Sequence, residues 1–167
     1  MDAKQTGDPA ALTHRTTVER RSGRELVVTR SFNAPARIVF EAWTRPELLQ
    51  RWWAPKSTGW ALVSCATDVR AGGGYRFEFG NGTDAPMTFF GRYLEVTPNS
   101  RLVWTNEEAA DGAVTTLTFE ETAGRTRVVM HELYPSTEAL DAVLTGMEGG
   151  MPESFAQLDE LLVALGA

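Results

Sequence analysis

Four things are scarce in this chain of 167 residues, and each scarcity narrows what it can do. Cys65 is the sole cysteine, so no disulfide can form within the chain and packing alone must hold the fold, as suits a reducing compartment. Histidine is represented only by His14 and His131, with no paired cysteines and no H-E-x-x-H helix, so neither a zinc or iron site nor any cofactor is expected. Basic charge is short: 16 Lys and Arg against 22 Asp and Glu leave a formal charge of -6 and a pI near 5.0. Nucleic-acid binding draws on a concentrated basic surface that displaces counterions, so no nucleic-acid partner is expected. Long apolar runs are also missing. Nothing approaches the ~18 residues that cross a bilayer, and the opening MDAKQTGDPAAL lacks the basic start and apolar core of a secretory signal, so the expectation is a cytoplasmic protein without membrane insertion.

What is present reads as an ordinary globular chain, with 43% hydrophobic and 23% charged residues, long enough for one domain with a substantial core. Residues 1–12, with Gly7, Asp8 and Pro9 clustered, are too small and polar to order themselves and are expected to form a loose tail before a single domain over 13–167. A short edge strand is expected over 13–20 and a firm one over Glu25–Phe32, which is rich in apolar and β-branched residues. Asn33-Ala-Pro35 then opens a short helix carrying Ile38, Val39, Ala42 and Trp43. Pro46 opens a second with Leu48, Leu49, Trp52 and Trp53, closed by Pro55. Six strands follow, at 60–69, 74–80, 86–97, 101–107, 113–121 and 125–134, separated by turn signals such as Gly72-Gly-Gly74, Asn81-Gly82 and Ala123-Gly124 that join antiparallel neighbours.

Helical period returns at the end, where Leu140, Leu144, Met147, Met151, Phe155, Leu158, Leu162 and Leu165 step by three or four. Gly146, Gly149, Gly150 and Pro152 interrupt the stripe, and an interior proline costs about 3 kcal/mol, so a break is expected there with the final helix starting near Met151. An apolar-faced sheet and a long amphipathic helix leave water together if the sheet wraps the helix. The expected fold is therefore α+β, in the order β-α-α-β6-α, with about seven strands.

That order, together with Ser31-Phe-Asn-Ala-Pro-Ala36, Val39-Phe-Glu-Ala-Trp43, Trp52-Trp53, Gly72-Gly-Gly-Tyr-Arg-Phe77, Gly91-Arg-Tyr-Leu-Glu-Val96 and Arg101-Leu-Val-Trp-Thr105, resembles the SRPBCC superfamily of START-like, helix-grip proteins. Within it the likeness is to the bacterial branch named after the activator of the heat-shock-protein ATPase, whose members are often called polyketide cyclase-like, and it spans about residues 24–165. The resemblance implies a curved antiparallel sheet around a C-terminal helix with a hydrophobic cavity between them. It does not choose among lipid, hormone or polyketide binding, cyclisation and hydrolysis. The eponymous activator carries an additional N-terminal domain where this chain has a short tail, so its activity is not carried over.

Candidate cavity residues follow from type and position. Trp52, Trp53, Trp60, Tyr75, Phe77, Phe79, Met87, Phe89, Trp104 and Phe119 lie on the elbow and on alternating strand positions. Singly each reads as core. As a group they suit a ligand cavity, which is lined mostly by apolar and aromatic side chains with a few polar groups. Phe155, Met147 and Met151 add a wall on the last helical segment, and methionine adapts to varied apolar partners. His14 lies close to the tail with no partner in view, whereas His131, on the last expected strand, suits a ligand hydrogen bond or proton transfer, or else a structural bond. Cys65 with one distant histidine, and no G-x-S-x-G elbow, offers no nucleophilic arrangement, so no catalytic residue is assigned. Arg76, Glu78, Arg92 and Glu95 alternate with apolar positions and are expected to face solvent, although the sequence leaves a cavity-facing alternative open. Asn106–Asp111 is expected to be a solvated hairpin tip.

The leading expectation is a monomer or homodimer that binds a small hydrophobic molecule without catalysis. A cyclase or hydrolase in the same cavity, using His131 or a carboxylate as acid or base, is the alternative. A further one is a chaperone-related interaction protein that exposes Trp52 and Trp53, on the reasoning that a tandem pair cannot both enter one core.

Overall fold

The computed structural model describes residues 16–110 and 112–166. The expected tail over 1–12, His14, the first residues of the expected edge strand and Asp111 lie outside the described residues. In chain order the elements are β1 (Thr17–Arg20), β2 (Glu25–Phe32), α1 (Ala36–Thr44), α2 (Pro46–Trp52), a 3-10 turn (Lys56–Thr58), β3 (Ala61–Thr67), β4 (Gly74–Gly80), β5 (Met87–Thr97), β6 (Arg101–Thr105), β7 (Val114–Thr122), β8 (Arg125–Leu133) and α3 (Thr137–Ala164).

All neighbouring strands pair antiparallel in the order β1-β2-β8-β7-β6-β5-β4-β3, so β3 to β8 form a meander and β2 closes against its last strand. The register of β2 on β8 runs unbroken from Glu25 opposite Leu133 to Phe32 opposite Thr126. The count is eight rather than about seven because Thr17–Arg20 pairs as a full edge strand with Leu26–Thr29. Period-2 burial explains the curved sheet's inner face: Leu26, Val28, Arg30 and Phe32 of β2 and Thr126, Val128 and Met130 of β8 are buried while their neighbours are more exposed. Ala123 and Gly124, both at positive φ, make the two-residue turn between β7 and β8 that matches the twist of paired strands.

The elbow of α1 and α2 closes one end of the sheet. Glu121 of β7 accepts from the Ala36 backbone N–H at 2.7 Å, which places a carboxylate at the start of α1 where free amides and the helix dipole favour it. Trp43 stands at the centre of an edge-to-face aromatic cluster, 4.7 Å from Trp52, 5.4 Å from Trp53 and 5.9 Å from Phe155 between ring centroids.

One long helix replaces the expected break. α3 runs from Thr137 to Ala164 through Pro152, starting from Ser136, whose hydroxyl accepts from the Ala139 N–H. The proline removes one bond, yet the turns after it are anchored by burial of Phe155, Leu158, Leu161 and Leu162, and Glu148, whose carbonyl loses its donor, is exposed to solvent. Tertiary packing therefore outweighs a local preference for interruption.

The two halves of α3 are held differently. Gln157 donates from Nε2 to Trp52 O (2.9 Å) and Ala54 O (2.8 Å), and its Oε1 accepts from Lys56 N (2.9 Å). One side chain thus satisfies three backbone groups where α2 ends. Ser154 donates to Trp53 O, and buried Arg30 of β2 pairs with Asp159. Between Asp141 and Gly150, by contrast, most residues are exposed.

Candidate functional site

Beneath that loosely packed half of α3 lies a cavity of about 490 Å³. Its roof is Ala139, Ala142, Val143 and Met147. Its floor comes from alternate residues of β4 and β5, namely Tyr75, Phe77, Phe79, Met87 and Phe89, and the segment after α2 supplies Trp53, Thr58 and Trp60. The floor rings brace one another, with centroids 5.2 Å apart for Phe79 and Phe89, 5.2 Å for Tyr75 and Phe77, and 5.7 Å for Trp53 and Phe77.

The sequence candidates separate into three groups. Trp53, Trp60, Tyr75, Phe77, Phe89 and Met147 line the cavity, as do Phe79 and Met87. Trp52, Trp104, Phe119 and Phe155 are buried in the core, where Phe119 meets Phe40 at 5.5 Å and Trp104 meets Trp43 at 6.3 Å, while Met151 packs partly buried against the same cluster. His131 faces the opposite side of the sheet and lies 2.9 Å from Glu25 through Nε2. The period-2 pattern of β8 requires this: Val128 and Met130 point inward, so His131 points out and Glu132 points in.

Three further expectations are corrected or settled. Trp52 and Trp53 do both turn inward, because a step of about 100° along a helix aims one ring at Trp43 and the other at the cavity wall at Phe77. Arg76, Glu78, Arg92 and Glu95 face solvent, in the outer-face pairs Arg76–Glu78, Arg92–Glu107 and Arg101–Glu95. Residues 106–110 of the expected solvated tip do more than face solvent. Glu107 N donates to Phe90 O at 2.8 Å and Asn106 N to Ala113 O at 3.1 Å, which folds the loop onto β5 and sends Asn106 and Glu108 into the cavity wall.

These inward groups make a polar end to an otherwise apolar chamber. Asn106 donates from Nδ2 to Thr115 Oγ1 (3.1 Å), Thr115 donates to Glu132 Oε1 (3.3 Å), and Tyr134 donates to Glu132 Oε2 (2.5 Å). Tyr75 donates to Thr105 O at 2.6 Å beside Asn106. Gly91 makes room for that contact, since a Cβ there would lie 2.0 Å from Thr105 O and 2.9 Å from the Tyr75 hydroxyl. Burial pushes the Glu132 carboxyl above the usual carboxylate range, against the two hydrogen bonds that favour its charged form, and nearby Glu108 pushes the same way. Burial, and then the adjacent Glu132, hold the Tyr134 phenol far above its ordinary value, so it stays a donor; burial and then Glu108 do the same for Tyr75. Oε2 of Glu108 is buried without a hydrogen-bond partner among the described residues.

Elsewhere, burial and then Glu47 push the Cys65 thiol up to about 11, which leaves it protonated near neutrality. Among the described residues no group of three or more His, Cys, Asp or Glu side chains is placed to hold a metal ion, and no helix is long and apolar enough to cross a membrane.

Comparison with solved structures places the architecture among bacterial relatives. A crystal structure from Rhodobacter sphaeroides is 27% identical, with a TM-score of 0.83 over 90% of this chain and 99% of that one. A protein from Nitrosomonas europaea, 24% identical, superposes with a TM-score of 0.79 over 87% and 98% of the two chains. An AHSA1-like protein from Aeromonas hydrophila, 19% identical, shares the fold at 0.68 over 80% and 92%. No curated protein matches the chain. The helix-grip fold is common to all of these, and the family model for the activator of Hsp90 ATPase homolog 1-like proteins matches residues 33–163. The chain belongs to that family.

Proposed function

We propose that the protein binds a small hydrophobic molecule in the cavity between the sheet and the N-terminal half of α3. One observation carries this reading: a chamber of about 490 Å³ stays open although the rings that wall it already pack against one another. Natural interiors close voids, because the atoms lining one forfeit dispersion contacts, and ligand sites occupy roughly 300–1,000 Å³. The sparse packing of Asp141–Gly150 supports entry from the helix side.

Filling the chamber tests the reading. Ala142 lines it from an exposed helix position, so Ala142→Phe would occupy the space at small cost to the fold. The expected result is loss of binding of apolar aromatic probes with thermal stability retained; undiminished binding would place the ligand elsewhere.

A cyclase or hydrolase reading is supported by one feature, Glu132 beside Tyr134 at the cavity wall, since a carboxyl whose burial favours its protonated form suits a general acid. It separates from simple binding by turnover. Mass analysis of a bound ligand after prolonged incubation should show it unchanged under the binding reading and converted under the catalytic one, with Glu132→Gln abolishing the conversion.

A further inference from the structure

The chemistry of the polar end restricts what kind of molecule the chamber accepts. Two carboxylates, Glu108 and Glu132, line one cavity, and among the described residues lining it there is no Lys, Arg or His. Arg92 pairs with Glu107 and Arg76 with Glu78 on the outer face of the sheet, and the His131 ring bonds Glu25 there. Among the described residues Glu132 receives only neutral donors, the hydroxyls of Tyr134 and Thr115, and Glu108 Oε2 receives none. Holding Glu132 charged in this apolar setting is costly, and the partly buried Glu108, with one oxygen unpartnered among the described residues, adds a like charge beside it. Such an arrangement is completed by a positive charge arriving with the ligand. The remaining walls suit the same guest, because the faces of Trp53, Trp60 and Tyr75 attract a cation held near them, most strongly once water is displaced.

We propose that the chamber selects a hydrophobic molecule bearing a protonated amine, with the ammonium head between Glu108 and Glu132 and the apolar body on the aromatic floor. This rests on the reading of the chamber as a ligand site, and it rejects fatty acids and other amphiphiles with anionic heads, which would bring a negative charge against Glu108 and Glu132. The Gln-for-Glu exchange is close to isosteric, so it removes charge while keeping shape.

Three ligands with one body and different heads separate the head preference from the cavity itself. 2-Naphthylmethylamine, 2-naphthylmethanol and 2-naphthoic acid are titrated into the full-length protein near neutral pH by calorimetry. The amine is expected to bind roughly tenfold more tightly than the alcohol, as a desolvated charged contact would give, with the acid weakest. Glu108→Gln and Glu132→Gln should each shrink the amine-to-alcohol preference to about twofold, and a full preference surviving both exchanges overturns the assignment of the head to these carboxyls. Equal binding of amine and alcohol, or tighter binding of the acid, overturns the amine proposal and leaves the cavity reading standing. Failure of all three to bind overturns both.

Discussion

The Tyr134 hydroxyl sits 2.5 Å from Glu132 Oε2, two residues away along the chain, and with Thr115 it holds a carboxylate against the apolar chamber rather than against solvent. Because burial raises the Glu132 carboxyl, the folded protein keeps a proton through a pH window in which the unfolded chain has lost it. Stability from this group is therefore full below the ordinary carboxylate value of 4.5 and is lost as pH rises through the raised value. Glu132→Gln removes the titration, so its melting temperature relative to the natural protein should climb over the pH range above 4.5. A difference that stays flat or falls across that range would show that Glu132 is not enclosed as described.

Gln157 is the point at which α3 is fastened to the elbow. Gln157→Leu keeps the volume but leaves Trp52 O, Ala54 O and Lys56 N without their partner, at a cost of about 3 kcal/mol in denaturant unfolding. A loss under about 1 kcal/mol would mean that these backbone groups find substitutes.

Gly91 allows β6 and the Tyr75 hydroxyl to close over β5. Gly91→Ala places a methyl 2.0 Å from a backbone oxygen, and the strands have to part, so destabilisation of about 3 kcal/mol is expected, with amide shift changes centred on Thr105 and Asn106. Normal stability would contradict the close approach.

The glycines of α3 offer a different outcome. An added Cβ at Gly149 meets nothing within 4 Å and at Gly150 only Pro55 Cγ at 3.7 Å, so the double alanine variant fits and should gain about 1 kcal/mol per site from helix propensity. If this half of α3 moves to admit ligand, exchange slows in the same variant. A gain in stability with unchanged exchange rates would remove helix motion from the entry route.

Much of this architecture was legible in the residues. Alternation in Glu25–Phe32 and Arg125–Leu133 and the turns between strands specify a meander with one buried face; Tyr75 and Phe77 fall on that face, and the segment after α2 brings Trp53 and Trp60 to the same cavity. The same alternation also marks Glu132 as inward and His131 as outward, so the period of the strand, not the chemistry of the histidine, decides which of the two meets the cavity. Glu108 was harder to place, because the bond from Glu107 N to Phe90 O that orients its loop joins residues distant in sequence and leaves no local pattern. The continuity of α3 through Pro152 is of the same kind, since burial of Phe155 and Leu158 and the Gln157 bonds hold what propensity alone would interrupt.

The most direct measurement is an amide chemical-shift titration of labelled protein against a panel of aromatic and aliphatic molecules with cationic, neutral and anionic heads. Saturable shifts gathered at Trp53, Tyr75, Phe77, Glu132 and Met147, with the core at Phe119 and the outer face at His131 unmoved, are the expected result. Silence across the panel, or shifts confined to the outer face, would contradict a ligand site in this chamber.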